Sequence, residues 1–315
     1  MIGYILRRLT QLMPVVLAGS LCIFLMVHAV PGGPVAAMVG ENATPERIAA
    51  LSREFGLDQP IFSQYLQWLG RAIQGDLGIS LHSREPVMAL IAQRLPATIQ
   101  LAILATLIGI AIGVPMAIVS ALRPASWLDR VLSGFSALAL GVPTFWLGVL
   151  LILLLAVKFR VFPAASAYHP FWQSPWLAMQ HTLLPAATLG IYVSGIFARF
   201  LRASVITELQ SDYVRTARSK GLAERAVILR HVIRNALLPF VTIVGLMLAG
   251  FIGGAVVTES VFTYPGLGRL VIQAISSRDY PLIQGCILVV LVSYTLINLI
   301  IDVLYALIDP RIELG

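Results

Sequence analysis

Residues 212–239 read DYVRTARSKGLAERAVILRHVIRNALLP. The segment is basic, it contains one glycine, and it lies between two long apolar runs. Before Gly221 the residues DYVRTARSK suffice for about two turns of helix. After it, Leu222, Ala226, Leu229, Val232 or Ile233, and Ala236 recur at helical spacing, with Arg225, Arg230 and Arg234 largely off that stripe. Glycine lets the chain turn between the two pieces. Pro239 enters the next apolar run where an N–H would otherwise lack a partner. The predicted shape is a helix–turn–helix lying along a membrane surface, with its turn pushed outward. A protruding short helix suits a groove in a partner protein. A basic amphipathic helix also suits anionic lipid. The residues of this segment alone leave both uses open.

The rest of the chain explains why such a segment needs a membrane beside it. Of 315 residues, 58% are hydrophobic and only 12% are charged, with mean hydropathy +0.87. Soluble domains carry about 25% charged residues, so this chain lacks the polar cover of a soluble core. Its charges are gathered into islands that leave six uncharged windows: 9–40, 95–122, 131–157, 161–198, 235–258 and 280–301. About 20 apolar residues cross the hydrocarbon layer, so each window can hold a span. The longest window is interrupted by Pro163, His169, Pro170, Gln173, Pro175 and His181, and therefore holds one span, at roughly 182–200. The expectation is an all-α polytopic membrane protein with six transmembrane helices. Met1–Arg8 and the apolar run after it read as a retained first span rather than a cleaved signal peptide.

Six spans place both termini on one side. Thirteen Lys or Arg and seven Asp or Glu fall on that side, against nine and eight on the other. Cationic short loops stay in the cytoplasm, so the termini and residues 212–239 are expected there. The positive charge is thus mostly topological, and no nucleic-acid partner is expected. Cys22 and Cys286 both fall within spans and read as small apolar fillers.

Along the chain, span one covers about 9–30. Thr44-Pro45-Glu46 carries a helix start, a second helix is predicted over Ile61–Ile73, GDLGIS (75–80) is a turn, and Pro86–Leu95 is a third short helix. Residues 41–95 therefore form a small helical extracytoplasmic region. Spans follow at about 98–121, 132–156, 182–200, 238–258 and 283–305. Gly141-Val142-Pro143 predicts a kink in the third, because proline loses a helical hydrogen bond and crowds the turn before it. No repeat relates the two halves.

Much chemistry is missing. There is no G-x-x-x-x-G-K-[ST], no H-E-x-x-H and no G-x-S-x-G. No nucleophile–base pair supports an intramembrane enzyme. The span cores hold almost no ionisable residue, whereas a proton- or ion-driven carrier would want acids or histidines at mid-membrane. Asp302 is the main exception, expected to pair with Arg311 or to make a bundle contact. A pathway through this chain would be lined by neutral side chains and driven from outside it. A stand-alone carrier or channel is the alternative reading.

The 212–239 segment also resembles the cytoplasmic EAA loop of ATP-binding-cassette importer permeases, in the dipeptide/oligopeptide/nickel branch. Thr216-Ala217-x-x-x-Gly221 matches the Ala-x-x-x-Gly core of that loop. Arg215 stands where the general motif has glutamate, and the interval from Gly221 to Pro239 is longer than in sugar importers. Both departures are usual in this branch. ILRRL (5–9), GLDQP (56–60), GDLGIS (75–80), RLPAT (94–98), VFTYPGLGRL (261–270), RDYPLIQG (278–285) and NLIIDVLYALIDPRI (298–312) resemble the family in the same order. The likeness is to the first of its two permease subunits.

The resemblance implies a type I ABC importer permease fold, divided into 1–97 (first span and outer region) and 98–315 (a five-helix core with the coupling loop at about 201–237). It implies a homologous second permease, two ATPase subunits that bind ATP and Mg, and a substrate-binding protein that delivers short peptides, glutathione, or nickel and metallophore complexes. No cofactor or metal and no catalytic residue is expected in this chain itself. The coupling residues it implies are Asp212, Tyr213, Arg215, Thr216, Ala217, Arg218, Lys220, Gly221, Leu222, Arg234, Asn235 and Pro239. Ala217 would permit close approach, and Arg215, Arg218 and Lys220 would offer charge to the ATPase. Outside, Tyr264, Pro265, Gly266, Gly268, Arg269, Asp279 and Tyr280 are candidates for a gate or a binding-protein contact, with plain turn chemistry the other reading.

Overall fold

In hydrocarbon a backbone N–H has no water to bond, so each apolar window closes its hydrogen bonds internally as helix. The structure, a computed structural model, describes residues 2–29, 44 and 58–308. Its helices are α1 (Ile2–His28), α2 (Ile61–Ile73), α3 (Val87–Leu122), α4 (Trp127–Gly141), α5 (Thr144–Leu151, continued by a π-helical turn Ile152–Lys158), α6 (Pro175–Leu209) and α7 (Asp212–Ser219). A short turn Glu224–Ala226 and a π-helical segment Val227–Ile233 then lead into α8 (Arg234–Gly254), followed by α9 (Val256–Val261), α10 (Leu267–Ser276) and α11 (Tyr280–Ile308). Five stretches are long and apolar enough to cross a membrane, and the bent pair α4–α5 makes a sixth. The chain is a multi-pass membrane protein.

Three sequence expectations change. The short helix expected at Pro86–Leu95 is not separate, because α3 runs through Pro96 as one 36-residue helix. Proline removes one hydrogen bond there, but Ile91, Ala97 and Leu101 are buried on both sides of it and hold the axis. The kink at Gly141–Pro143 is a break: the two halves meet at 100°. Val142, pushed out of the helical region by the following proline, is extended at φ −82, ψ 124. The coupling loop, expected to begin near 201, begins later, since α6 stays helical to Leu209. The start predicted at Thr44-Pro45-Glu46 lies outside the described residues.

The bent pair still crosses the bundle. Its first turn is tied to α6 near the 202 position through Asp129, whereas the chain after it bonds the opposite end, with the Ser166 N–H donating to the Phe262 carbonyl at 2.9 Å. Close packing in the bundle centre depends on small residues. A Cβ on Gly109 would lie 2.3 Å from Val193, and one on Gly190 2.6 Å from Ile108, so α3 and α6 meet only because both positions are glycine. Arg8 of α1 and Asp302 of α11 pair at 3.4 Å, which sets these two helix ends on one face. The expected partner Arg311 lies outside the described residues. Contacts of Gly245 with Ile301 and of Gly253 with Val290 run α8 antiparallel to α11, so the Arg234 end of α8 shares that face.

Candidate functional site

The coupling segment is assembled on this same face. α7 ends at Ser219, Gly221 turns the chain at φ +75, and helix resumes at Glu224. A left-handed φ strains any residue with a Cβ. Nothing lies within 4 Å of where that Cβ would be, so the glycine is needed for the turn and not for room. Arg218 forks onto Glu224 across the turn, with Nη2–Oε1 at 2.6 Å and Nε–Oε2 at 3.1 Å. The two pieces are therefore stapled to each other, and Arg218 is engaged within the chain rather than offered freely. The Tyr213 hydroxyl donates to Glu208 at the end of α6.

Beneath this, Val214 and Ala217 are buried with Phe197, Leu201 and Val205 of α6 in one apolar cluster. The close approach that Ala217 allows is thus to this chain's own π-helical segment, whose Val227 and Val232 are buried in the same cluster. Asp212, Tyr213, Arg215, Thr216, Lys220, Gly221 and Leu222 remain exposed, while Asn235 and Pro239 are half-buried and Arg234 is exposed. The stripe predicted after Gly221 shifts. Leu222 and Leu229 are exposed, and Val227, Val232 and Ala236 are buried. The cause is the π-helical segment, whose wider turn brings residues five apart onto one side. Just above, Arg202 of α6 holds Asp129 of α4 through Nη2–Oδ2 at 2.9 Å and Nε–Oδ1 at 3.0 Å, and Ser120 of α3 donates to the same carboxylate. Three helix ends are clamped where the segment attaches.

At the opposite face the short motifs find each other. Glu259 is fully buried. Its Oε1 accepts from Thr98 Oγ1 of RLPAT at 2.7 Å, and its Oε2 accepts from the Arg269 N–H at 3.0 Å. Thr98 in turn accepts from the Leu267 N–H at 2.7 Å. Those N–H groups open α10, so the carboxylate neutralises the positive end of that helix. Burial raises the Glu259 pKa, and hydrogen bonds from Thr98, Arg269 and Gly268 oppose that rise. A Cβ on Gly266 would sit 2.1 Å from the carboxylate oxygen, so the glycines of YPGLG make its cradle. Asp279 of RDYP does the same for α11. It accepts from Ser80 Oγ of GDLGIS at 2.5 Å and from the Leu282 N–H at 3.3 Å.

Of the outer candidates, Tyr264, Gly266, Gly268 and Asp279 are buried. Their side chains are turned into the packed interior of this face rather than onto its surface. Tyr264 lies 3.5 Å from Thr182, which accepts from Gln100 at 3.0 Å, and burial raises the tyrosine's pKa. Pro265, Arg269 and Tyr280 keep part of their surface. Sequence reasoning missed Glu259, Thr98 and Ser80. Glu259 entered only as the charge that ended a window, and the other two stood inside motifs without a role. An acid a few residues before a glycine-rich helix start was the available signal for Glu259.

Geometry defines the class first: a membrane bundle with a stapled, exposed helical knob on one face and two buried, hydrogen-bonded carboxylates at the opposite face. Comparison with known proteins gives the family. Residues 109–314 match the binding-protein-dependent transport system inner membrane component, and residues 1–102 match the N-terminal part of such membrane components. A Brucella abortus protein bearing the name peptide transport system permease protein is 40% identical over 313 residues, covering 99% of each chain. The glutathione transport system permease protein GsiC of Escherichia coli K12 is 39% identical over the same share. Among solved structures, an inward-facing form of the MetNI methionine ABC transporter aligns with TM-score 0.59 at 16% identity, over 71% of this chain and 99% of that one. An amino acid ABC transporter with histidines aligns with TM-score 0.52 at 20% identity, over 71% and 94%. The chain belongs to the binding-protein-dependent transport system inner membrane component family: it is a permease subunit with the ABC importer fold.

Proposed function

We propose that this chain is half of the pathway of an ATP-driven importer of short peptides, glutathione among the candidates. A homologous second permease completes the pathway. Two ATPase subunits bind ATP and Mg, and one of them grips residues 212–222. An extracytoplasmic substrate-binding protein delivers the cargo. Residues 98–315 form the core, and 1–97 add the first helix and the outer region. The chain sits in the bacterial inner membrane with both termini cytoplasmic and performs no catalysis of its own.

One observation carries this reading. The exposed knob around Gly221 is packed through Val214 and Ala217 against the π-helical segment Val227–Ile233, which itself packs on α6 and runs into α8, so a push on the knob is a push on the bundle. A knob resting only on lipid would not need Arg218 and Glu224 to fix its shape. The names of the relatives support the cargo class. The test is uptake of labelled dipeptide and glutathione into proteoliposomes that hold this chain with its second permease, ATPases and binding protein. Uptake that needs ATP and all components supports the proposal. Uptake by this chain alone favours the carrier and sinks it.

A further inference from the structure

Helix α2 carries two apolar strips. One faces α1: the Tyr65 hydroxyl bonds Ser20 Oγ at 2.8 Å and donates to the Leu17 carbonyl at 3.3 Å. The Tyr65 and Trp68 rings lie 5.5 and 5.8 Å from Phe24. Ser20 is eight residues before the end of α1 at His28, about 12 Å along the helix axis. So α2 reaches down beside the span, to membrane depth. The second strip is Phe62, Leu66 and Ile73, on the flank next to the first, with exposures of 67%, 51% and 78%. It continues the exposed apolar surface of α1 at Leu17, Leu21 and Leu25. Gln67 and Arg71 lie on the polar side.

Behind α2 is a cavity of about 410 Å³, between α1, the turn at 75–80 and the start of α11. Phe24, Val27, Trp68, Arg71, Arg84 and Tyr280 line it. Among the described residues neither arginine makes an ion pair. Asp76, the acid in the lining, accepts from the Gly78 N–H at 2.9 Å.

We propose that this corner is a phospholipid site. The bound lipid's phosphate sits in the cavity at Arg71 and Arg84, with its acyl chains against Phe24, Val27 and Trp68. The strip Phe62, Leu66 and Ile73 on the other flank of α2 lies among the surrounding acyl chains of the extracytoplasmic leaflet. Depth, continuity with a lipid-facing span and charge complementarity all point to lipid. Guanidinium forks match phosphate oxygens. Trp68 and Tyr280 suit the interfacial level where ring and polar tip are both satisfied. A half-apolar, half-polar helix lies stably at that boundary. The proposal rests on the multi-pass membrane reading and is independent of cargo.

The test uses the full chain in nanodiscs of phosphatidylcholine with phosphatidylglycerol. Spin labels at positions 62, 66 and 73, on a background with Cys22 and Cys286 replaced by alanine, should relax with dissolved oxygen and not with a water-soluble nickel chelate. If that background does not assemble, p-benzoylphenylalanine at 62 and 73 of the otherwise unaltered chain reads the same contact by cross-linking to lipid. Phosphatidylglycerol retained in native mass spectrometry should fall about tenfold in Arg71→Gln or Arg84→Gln, one lost charge-assisted contact's worth, and about a hundredfold in the double variant. Relaxation by the nickel chelate, unchanged lipid retention, or shielding of the labels only when a binding protein is added would each overturn the proposal.

Discussion

At the face that carries Gly221, charged side chains are exposed and the glycine has open space around it. At the opposite face two carboxylates, Glu259 and Asp279, are buried over helix starts, and Gly266 is pressed against one of them. The first face keeps its shape with a surface ion pair, Arg218 with Glu224. The second keeps it with buried hydrogen bonds between motifs far apart in the chain, Thr98 to Glu259 and Ser80 to Asp279. Under the proposed function the difference separates two jobs. A lever must be reachable by another protein, so its charges stay in water. A cap that must not yield while the bundle moves puts its polar groups where water cannot compete.

Glu259→Ala tests the rigid side hardest. Thr98 and the Arg269 N–H lose their acceptor in a buried site, and we expect a loss of about 4 kcal/mol, read as failure to purify as a monodisperse species or as a sharply lower melting temperature in detergent. A variant that melts like the parent breaks the comparison. Asp279→Ala should follow with about 2–3 kcal/mol, since the start of α11 loses its cap and Ser80 its partner. Proteolysis of the 75–80 turn should accelerate in that variant.

The lever side should respond in transport rather than in folding. Gly221→Val puts a β-branched residue at positive φ, at about 1–2 kcal/mol of local strain. Membrane insertion and melting should change little, while ATP-driven uptake falls by more than about tenfold, one decade being 1.4 kcal/mol of lost coupling. Gly221→Asn, which tolerates that conformation, should keep most of the uptake. Equal loss in both variants would mean that the backbone turn is not what matters. Arg218→Ala should leave the melting temperature unchanged, because exposed ion pairs add little, and should lower the ATPase stimulation that accompanies uptake.

Some of this was legible from local sequence. The apolar windows marked the spans, Ile61–Ile73 became a helix with those bounds, GDLGIS turned through Gly75 and Gly78 at positive φ, and Gly221 turned the coupling segment. Each of these depends on residues within a turn or two of one another: side-chain period, a proline's missing N–H, or a glycine's freedom. The bend at Gly141–Pro143 was legible from its proline, though not its 100° size; the π-helical segment at Val227–Ile233 and the unbroken passage of α3 through Pro96 were not legible, because packing against neighbouring helices decides them.

Motif order suggested the family, yet the motifs' work emerged only when the chain was folded. RLPAT meets YPGLG through Thr98 and Glu259, 161 positions apart, and GDLGIS meets RDYP through Ser80 and Asp279, 199 positions apart. By itself the sequence determined where the chain crosses the membrane and where it turns, since hydropathy and backbone preference act over a few residues. Tertiary structure alone decided which distant hydroxyl reaches which buried carboxylate, Thr98 to Glu259 and Ser80 to Asp279. A charge removed from water must find partners wherever the fold supplies them, and spacing along the chain does not encode that.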